Sequence, residues 1–364
     1  MILGRAIGAP FVVTRGYSSV IDQKNDFDVG GFMRVFITGI AGFIGSTLAH
    51  LLLDQGHQVA GIDSLNDYYH PTLKTARLDR LMAREGFAFT EGKIETPGLL
   101  AELFSTGYDA VVHLAAQAGV RYSIDNPRAY FEANLMGTFE LLEAARAYPP
   151  KHMLLASTSS AYGANTDMPY VETQRADHQM SFYAATKKSN EAMAHSYAHL
   201  FDLPITMFRF FTVYGPWGRP DMAYFKFTNA ILNDRPIDVY NNGEMRRDFT
   251  YVHDLARALS MLLEKAPVTG QPASEKDSLS PVAPFRVLTI GNNSPVELGD
   301  FIRAIETSCG KTAVKNLMPM QAGDVPATWA DTSLLHALTQ YKPSTSVEEG
   351  VDHFVRWYRA YYGI

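Results

Sequence analysis

The chain has 364 residues, of which 46% are hydrophobic and 19% charged, with a formal net charge of −6. This length and apolar content provide enough buried surface for a large core and a smaller second lobe. A general nucleic-acid binder would normally be basic, so the charge argues against a nucleic-acid partner. A few well-placed arginines can still bind a small anionic substrate.

The cysteine content indicates the compartment. Cys309 is the only cysteine, so no intramolecular disulfide can form, which fits a reducing, cytoplasmic environment. We expect its thiol to be a small buried hydrophobe. No stretch approaches the roughly 20 apolar residues that cross a bilayer, and the apolar run at 7–13 is interrupted by Pro10 and lacks a convincing cleavage site. Neither a membrane partner nor a signal peptide is therefore predicted.

The first half of the chain alternates short apolar runs with helical patterns. Strands are predicted at 35–38, 58–62, 110–114, 153–156 and 205–210, and a helix at 46–54. Continuous apolar strands separated by helices are typical of a parallel sheet covered on both faces. The sequence therefore predicts an α/β fold with a doubly wound, Rossmann-type sheet.

A glycine-rich turn directly follows the first predicted strand and opens a helix. Its glycines, Gly39, Gly42 and Gly45, have the spacing GxxGxxG, which lets the backbone approach a pyrophosphate at a helix N-terminus. Asp63 ends the second strand, where a carboxylate accepts hydrogen bonds from ribose hydroxyls and repels a 2′-phosphate. Residues 64–67 supply no cation for such a phosphate. We therefore predict NAD rather than NADP; the alternative is a structural turn and a solvated aspartate.

Three further residues form a candidate catalytic group. Tyr183 and Lys187 are four residues apart, which places them on one face of a helix. A phenol has an ordinary pKa near 10, and a nearby ammonium and a nicotinamide ring both favour phenolate. Thr158 follows an apolar strand, at the edge where ligands bind in such sheets, and can pass a substrate proton toward Tyr183. The alternative for the segment 157–163 is a turn whose hydroxyls cap local backbone.

In the second half of the chain the alternation of apolar strands and helical patterns is less regular. Residues 266–284 are rich in Pro and Ser and predict a surface loop. We assign residues 33–212 mainly to the NAD-binding domain and residues 213–364 mainly to a substrate-binding lobe, with some crossing of the chain between them. Residues 1–32 are predicted to be a loose extension, either a true part of the protein or a consequence of start-codon choice.

With these motifs, the sequence resembles the extended short-chain dehydrogenase/reductase family, and within it the UDP-glucuronate 4-epimerases. The resemblance runs from about residue 33 to the end of the chain, and its long middle motifs are highly specific. The matching segments are 39–45, 63, 65–69, 113–123, 157–163, 183–187, 209–223, 247–252 and 321–328.

The resemblance implies a role for each of the catalytic candidates. Tyr183 would be the base, Lys187 its pKa partner and a ribose ligand, and Thr158 the hydroxyl that assists. It also implies a tightly held NAD that is regenerated in each turnover, a homodimer formed by helix packing, and a cleft position for Asn134. No metal site is predicted. The predicted cofactor site comprises Gly39, Gly42, Phe43, Ile44, Gly45, Asp63, Asn66, Ala115, Ala116, Tyr183 and Lys187.

The residues after Thr158 separate epimerisation from related reactions. In the dehydratase branch acidic residues fill the next two positions, and the decarboxylating branch carries a glutamate in this stretch. Here these positions are Ser159 and Ser160, which are not useful acids or bases near neutral pH. With Thr212 they form a hydroxyl cluster (Ser159, Ser160 and Thr212) that we expect to hold the C5 carboxylate of glucuronate. Held away from the carbonyl π system, that carboxylate would not leave as carbon dioxide from the β-keto acid formed at C4.

Arginines are the candidates for the substrate diphosphate, because guanidinium suits phosphate oxygens. We predict Arg219, Arg247 and Arg121 for this role; the alternative for each is a structural or surface ion pair. Asp324 completes the predicted substrate site.

Two positions depart from the family pattern. Many members carry arginine at the position of Gln321 and an acidic residue at that of Lys93, which shifts the phosphate contact to Arg219 and leaves the adenine contact open. His113 is predicted to be structural.

Two other functions stay open on the sequence. A UDP-glucose/galactose 4-epimerase would use the same machinery. A catalytically silent NAD-sensing scaffold would use the same fold, although the intact Thr158, Tyr183 and Lys187 argue against it. The nucleotide base and the glycan pathway, whether capsule, lipopolysaccharide or another polysaccharide, are not determined by the residues.

Overall fold

The computed structural model describes residues 31–321 and 325–364. Its central sheet has seven strands, all paired in parallel, in the order β10-β6-β5-β4-β1-β2-β3. The order reverses beside β1, which creates a crevice at the carboxyl ends of the strands. The predicted doubly wound fold is confirmed. The strands are β1 Arg34–Thr38, β2 Gln58–Asp63, β3 Phe87–Glu91, β4 Ala110–His113, β5 His152–Ala156, β6 Ile205–Phe210 and β10 Phe285–Ile290.

Helices cover both faces of this sheet, and further helices build the second part of the chain. The predicted helix start at residue 46 is wrong: Gly42 is the N-cap and the first turn already contains Phe43 and Gly45. The helices are α1 Phe43–Asp54, α2 Thr72–Met82, α3 Leu99–Phe104, α4 Tyr122–Asp125, α5 Pro127–Tyr130, α6 Gly137–Ala147, α7 Phe182–Phe201, α8 Ala223–Leu232, α9 Val252–Leu262, α10 Leu298–Cys309, α11 Ser333–Thr339 and α12 Val347–Tyr362, with a π-helical turn Phe131–Met136 and 3-10 turns Ser159–Tyr162 and Asn241–Gly243.

The alternation of side chains along β1 explains why the central sheet has a hydrophobic core on each of its two faces. Val35 and Ile37 pack into the cluster formed with α1, α9 and α11, whereas Phe36 packs into the opposite cluster with α3, α6 and α7. Each large apolar side chain buried in this way contributes roughly 1.5–3 kcal/mol. Burial on both faces is why the strands are continuously apolar in the sequence.

The second part of the chain has two small sheets and an aromatic core. Strand β9 pairs with β7, β11 and β13, and β8 pairs with β12. Phe249 and Phe301 stack at 3.9 Å between ring centres inside this core. The chain crosses back to the first sheet, because β10 is one of its strands and α9 and α11 pack against it. The additional strands are β7 Thr212–Tyr214, β8 Ile237–Tyr240, β9 Arg246–Tyr251, β11 Pro295–Glu297, β12 Lys315–Met318 and β13 Ala327–Thr328.

Three smaller predictions can be compared with the structure. Residues 266–284 form a loop without helix or strand, as predicted. The thiol of Cys309 is buried, as predicted. Of the helices in the described ranges, none has the length and apolar character needed to pass through a bilayer. The predicted extension at 1–32 lies, up to residue 30, outside the described residues.

Candidate active site

The glycine turn between β1 and α1 leaves no room for side chains. Gly39 has a φ of +72°, and a Cβ there would lie 2.8 Å from the backbone nitrogen of Ala115. A Cβ on Gly42 would lie 2.8 Å from the Gly39 carbonyl oxygen, and one on Gly45 would overlap the same oxygen. The bare turn opens at the N-terminus of α1, next to predicted Phe43 and Ile44, so these residues fit the pyrophosphate of a dinucleotide. Ala116 follows Ala115 on the same edge.

Asp63 lies at the end of β2, as predicted, and its carboxylate is anchored by backbone donors. Its Oδ2 accepts from the Ala41 amide at 3.1 Å and its Oδ1 from the Leu65 amide at 2.9 Å. A cation is nevertheless nearby: Lys74 Nζ lies 3.9 Å from Asp63 Oδ1 and donates to Asn66 Oδ1 at 2.6 Å. Residues 64–67 supply no cation, as the sequence shows, and the nearby cation comes instead from α2.

Tyr183 and Lys187 lie on the buried face of α7, as their spacing predicts. Helix α7 begins after Ser181, whose side chain accepts a hydrogen bond from the Ala184 amide at 3.1 Å. Lys187 Nζ donates to the Ala156 carbonyl at 2.9 Å, which ties α7 to the end of β5. Burial lowers the pKa of Lys187 to about 8, so the ammonium is still mainly protonated at neutral pH.

The environment of the Tyr183 phenol sets its protonation. Burial raises the pKa of Tyr183, while a hydrogen bond with Thr158 and the charge of Arg219 lower it. Arg219 is therefore a cation that the sequence did not indicate for this phenol, and the role of Lys187 as its pKa partner stays a prediction. Thr158 and Tyr183 are thus close enough to interact, and they are the pair needed to move a proton from a bound hydroxyl; Thr158 Oγ1 also accepts from the Ser160 amide at 3.2 Å.

Two members of the hydroxyl cluster, Ser159 and Ser160, directly follow Thr158. They line a cavity together with Ala184, which follows Tyr183 on α7, whereas Thr212 is not among the described residues that line the same cavity. Thr212 begins β7, two residues beyond the adjacent strand β6. Among the described residues that line the cavity, none carries a carboxylate. The cavity lining is therefore suited to accept an anionic group through hydroxyl donors rather than to act as an acid.

Arg219 is already paired in this structure. Its Nε lies 3.0 Å from Asp221 Oδ1 and its Nη2 lies 2.5 Å from Asp221 Oδ2. The hydroxyl of Tyr68 donates to the same carboxylate at 3.3 Å. A substrate phosphate would have to share the Arg219 guanidinium with Asp221 or displace the Asp221 carboxylate from it.

The other predicted substrate residues lie at different places. Arg247 donates to the carbonyls of Val325 (2.6 Å) and Pro326 (3.0 Å), and Val325 lines the cavity. Arg121 lies over the ring of Tyr240, 5.2 Å from its centre. The predicted residue Asp324 lies outside the described residues.

Two buried polar residues support the cleft. Asn134 donates to Thr186 Oγ1 at 3.0 Å and accepts from the Gln117 amide at 2.8 Å, so it joins α7 to the loop after β4. His113 contacts Thr38 Oγ1 (2.7 Å) and Thr138 Oγ1 (3.2 Å) through its two ring nitrogens. Burial, and to a lesser extent Lys187, lowers the pKa of His113 to about 3, so the ring is neutral, in agreement with a structural role.

Sequence reasoning missed a buried ion pair behind the catalytic residues. Glu191, one turn after Lys187, accepts from Arg209 Nε (2.8 Å) and Nη2 (2.7 Å) and from Ser157 Oγ (2.6 Å). Burial raises the pKa of Glu191, but the hydrogen bonds and charge of Arg209 more than offset this and hold it below its ordinary value. The pair joins β5, β6 and α7 directly beneath Thr158.

We expect Glu191→Gln to lower the free energy of unfolding by about 3–5 kcal/mol, because it leaves the buried Arg209 guanidinium without its counter-charge. Urea denaturation at pH 7 measures the change. Lys188→Ala is the matched control: Lys188 contacts the same carboxylate at 3.0 Å from a partly exposed position, so its loss should cost about 0–1 kcal/mol. Equal effects of the two changes would contradict this account.

The missed residues of α2 do have a signal in the sequence. Lys74, Arg77, Leu78 and Leu81 recur at helical spacing, and all four are buried. Two cations on the apolar stripe of a helix need partners inside the protein, and this is the feature that identifies them.

Comparison with known proteins gives consistent results over most of the chain. Residues 35–273 match the NAD dependent epimerase/dehydratase family. A probable UDP-glucuronate 4-epimerase of Rhizobium meliloti (strain 1021) is 53% identical over 332 residues, covering 90% of this chain and 97% of that protein.

Solved structures with the same fold include relatives with two sugar specificities. The UDP-glucuronic acid 4-epimerase from Bacillus cereus, in complex with UDP-glucuronic acid and NAD, superposes with a TM-score of 0.81 at 33% identity, covering 91% of this chain and 100% of that chain. A UDP-glucose 4-epimerase from Thermotoga maritima, with UDP-glucose, superposes with a TM-score of 0.78 at 27% identity, covering 91% and 100%.

Proposed function

This chain belongs to the NAD-dependent epimerase/dehydratase family, and we propose that it interconverts UDP-glucuronate and UDP-galacturonate by NAD-dependent inversion at C4 through a transient 4-keto sugar. A probable UDP-glucuronate 4-epimerase is 53% identical in sequence, and the UDP-glucuronic acid 4-epimerase of Bacillus cereus, 33% identical, superposes at a TM-score of 0.81. One observation carries the choice of reaction: two serines directly follow Thr158 and line a cavity beside Tyr183.

The chemistry follows from the residues around C4. When bound, NAD supplies the oxidant for C4 and, once reduced, returns the hydride. Tyr183 takes the C4 hydroxyl proton through its hydrogen bond with Thr158, and it gives the proton back after the keto sugar presents its opposite face. Lys187, whose Nζ donates to the Ala156 carbonyl, would bind the ribose of NAD and favour the phenolate of Tyr183. The rotation requires firm binding of the nucleotide and weaker binding of the sugar. Arg219 and Arg247 would provide the firm binding, at the diphosphate.

The test of this proposal is incubation of the purified protein with UDP-glucuronate, with separation of the galacturonate epimer from any pentose product. UDP-glucose, the substrate named for the Thermotoga maritima relative, is assayed in parallel. We expect epimer from UDP-glucuronate and much slower turnover of UDP-glucose. Faster turnover of UDP-glucose would move the assignment to the glucose/galactose enzyme, and a protein that turns over neither sugar nucleotide and holds no NAD would be a scaffold.

Within this reaction, we expect Ser159→Ala combined with Ser160→Ala to divert turnover from epimer to decarboxylated pentose. Loss of two hydroxyl donors frees the C5 carboxylate to align its bond with the C4 carbonyl. Each missing hydrogen bond to a charged group corresponds to about 1.5–3 kcal/mol, so the product ratio should change by at least tenfold. Product analysis by chromatography measures the ratio.

A matched control for this variant is Ser181→Ala. Ser181 lines the same cavity but is already engaged at the N-cap of α7, so its loss should lower stability by about 1 kcal/mol without changing the products. An unchanged rate and product ratio in the double variant would remove the hydroxyl cluster from the mechanism.

We also infer a homodimer, supported by apolar side chains left exposed on neighbouring helices. These are Phe131, Met136, Phe139, Phe182 and Leu200, on the π-helical turn, α6 and α7, and α6 packs beside α7. A second copy of this chain is the occupant that we propose for these helices, as the family resemblance implies. Light scattering of the purified protein should give about twice the chain mass of 40.4 kDa, and Phe139→Glu should reduce it to the monomer.

The remaining parts of the proposal concern the cell. A single buried cysteine fits a cytoplasmic enzyme, and the product would supply polysaccharide synthesis with a uronic acid donor. The division into an NAD-binding domain over 33–212 and a substrate lobe over 213–364 is part of the same proposal.

A further inference from the structure

Arg77 of helix α2 is a fully buried cation that none of the ion pairs in the described part of the chain includes. All of its donors instead meet neutral oxygens. Its Nε and Nη2 donate to the Trp217 carbonyl at 3.0 and 2.5 Å, and Nη2 also donates to the Gly218 carbonyl at 3.0 Å. A buried charge without a counter-charge is unfavourable, so this position calls for an explanation.

The other end of the guanidinium reaches the glycine turn. Nη1 donates to the Ala41 carbonyl at 3.2 Å and to the Tyr69 hydroxyl at 2.7 Å. Ala41 lies inside the turn that fits the cofactor pyrophosphate, between Gly39 and Gly42. One side chain therefore joins the turn suited to the dinucleotide to the loop that leads directly into Arg219.

The loop on the far side of Arg77 is strained and held from two directions. Trp217 has a φ of +63°, which is an unfavourable backbone conformation for a bulky residue. Its ring packs against Trp357 and Tyr361 of α12, both at 5.3 Å between ring centres. Its carbonyl is held only by Arg77 among the described donors. The hydrogen bonds from Arg77 thus help to fix the backbone at 217–218 and, with it, the position of Arg219.

The charges around Arg77 favour an anion beside it. Lys74 and Arg219 lie in the same region, and each is paired with one carboxylate, Asp63 and Asp221 respectively. Arg77 has no such carboxylate partner among the described ion pairs, and the pyrophosphate that the neighbouring turn fits carries negative charge. A ligand fixing the turn would fix the Ala41 carbonyl and, through the guanidinium, the loop at 217–219.

We propose that Arg77 is a positioning residue that couples cofactor binding at the glycine turn to binding of the substrate diphosphate by Arg219. This inference rests on the proposed function for the identity of the two ligands. Coupling of two sites through one shared element is reciprocal, so NAD should raise the affinity for the uridine diphosphate group and the reverse.

The test is calorimetric titration of UDP into the full-length protein, once after removal of NAD and once after reloading. For the wild type we expect NAD to tighten UDP binding roughly tenfold, within the usual range for coupled sites. Arg77→Lys keeps the charge but cannot form the forked hydrogen bonds, so the ratio of the two dissociation constants should fall toward one. A wild-type ratio of one, or a full ratio in Arg77→Lys, would overturn the proposal.

Two further variants keep this test decisive. Arg80→Ala is the matched control, because Arg80 lies on the same helix and contacts the ring of Trp217 at 4.7 Å rather than its carbonyl; its ratio should stay at the wild-type value. Should Arg77→Lys fail to fold, Tyr69→Phe removes one hydrogen bond from the guanidinium and should lower the ratio about two- to threefold. No change in that folded variant would then reject the coupling.

The result is separable from the proposed function. A protein that binds NAD and UDP cooperatively but leaves UDP-glucuronate unchanged would contradict the proposed reaction and retain the coupling. A protein that epimerises UDP-glucuronate but binds UDP equally well with and without NAD would support the proposed reaction and contradict the coupling. Amide hydrogen exchange over residues 215–222 gives a second readout, since NAD should slow it in the wild type and not in Arg77→Lys.

Discussion

Replacement of Tyr183 by phenylalanine should lower kcat for C4 inversion by about 10²–10⁴-fold, the usual contribution of a positioned proton-transfer group. The change removes one oxygen and keeps the ring, which packs edge to face against Tyr130 at 5.9 Å between centres. Fold and NAD binding should therefore survive. Steady-state epimerisation measures the rate, and the absorbance of NAD released on denaturation measures cofactor content.

Tyr130→Phe is the matched control for that variant. Its hydroxyl donates to the Gly119 carbonyl at 2.6 Å and has no part in the proton transfer. Its loss should lower stability by about 1 kcal/mol and reduce kcat by less than tenfold. A Tyr183→Phe enzyme that interconverts the C4 stereoisomers at the wild-type rate would remove the proposed base.

The pH profile tests the same residue. Since burial raises the pKa of Tyr183 above its ordinary value, the phenol is protonated at neutral pH before ligands bind. The base form grows as pH rises, so kcat/KM should increase with pH until the phenol pKa is passed. Arg219 lowers this pKa, so Arg219→Met should move the rising limb to higher pH.

Gly39→Ala should strongly weaken the binding of NAD. An alanine there adopts an unfavourable φ of +72° and its Cβ overlaps the Ala115 amide. The turn must therefore move away from the position that the pyrophosphate requires. Backbone strain of this kind costs about 1–3 kcal/mol, so NAD affinity should fall about 10- to 100-fold, measured by fluorescence titration with NADH.

Gly56→Ala is a control that separates the effect of backbone strain at a positive φ from the effect of steric overlap of the new Cβ. Gly56 also has a positive φ, +84°, but a Cβ there meets nothing within 4 Å. This variant should lose about 1–2 kcal/mol of stability and keep its NAD affinity. If both glycine variants bind NAD as the wild type does, the turn is not the pyrophosphate site.

The sequence predicts the sheet well for a physical reason. Strands buried on both faces are continuously apolar, and the predicted strands agree with the structure to within one residue at each end. The start of α1 was placed too late because glycines at 42 and 45 resemble loop residues, whereas here they form the cap and first turn. The helix position of Tyr183 and Lys187 followed from their spacing alone.

Two of the contacts that the sequence does not predict join residues far apart in the chain. Arg77 meets Trp217, 140 residues away, and Glu191 meets both Ser157 and Arg209. No local pattern specifies such a partner, because the pairing arises only when α2 or α7 packs onto the crevice. The pairing of Arg219 with Asp221 is local, and the two-residue spacing of opposite charges was available as a signal.

The last strand of the central sheet has a consequence for biosynthesis. Strand β10 pairs along the whole of β6 although about 75 residues of chain separate them. Until the ribosome has released the segment near residue 290, β6 is an open edge whose unpaired peptide groups can recruit a neighbouring nascent chain. Truncation before that point should yield insoluble material, so a cofactor-binding fragment of this protein has to include residues from both halves of its sequence.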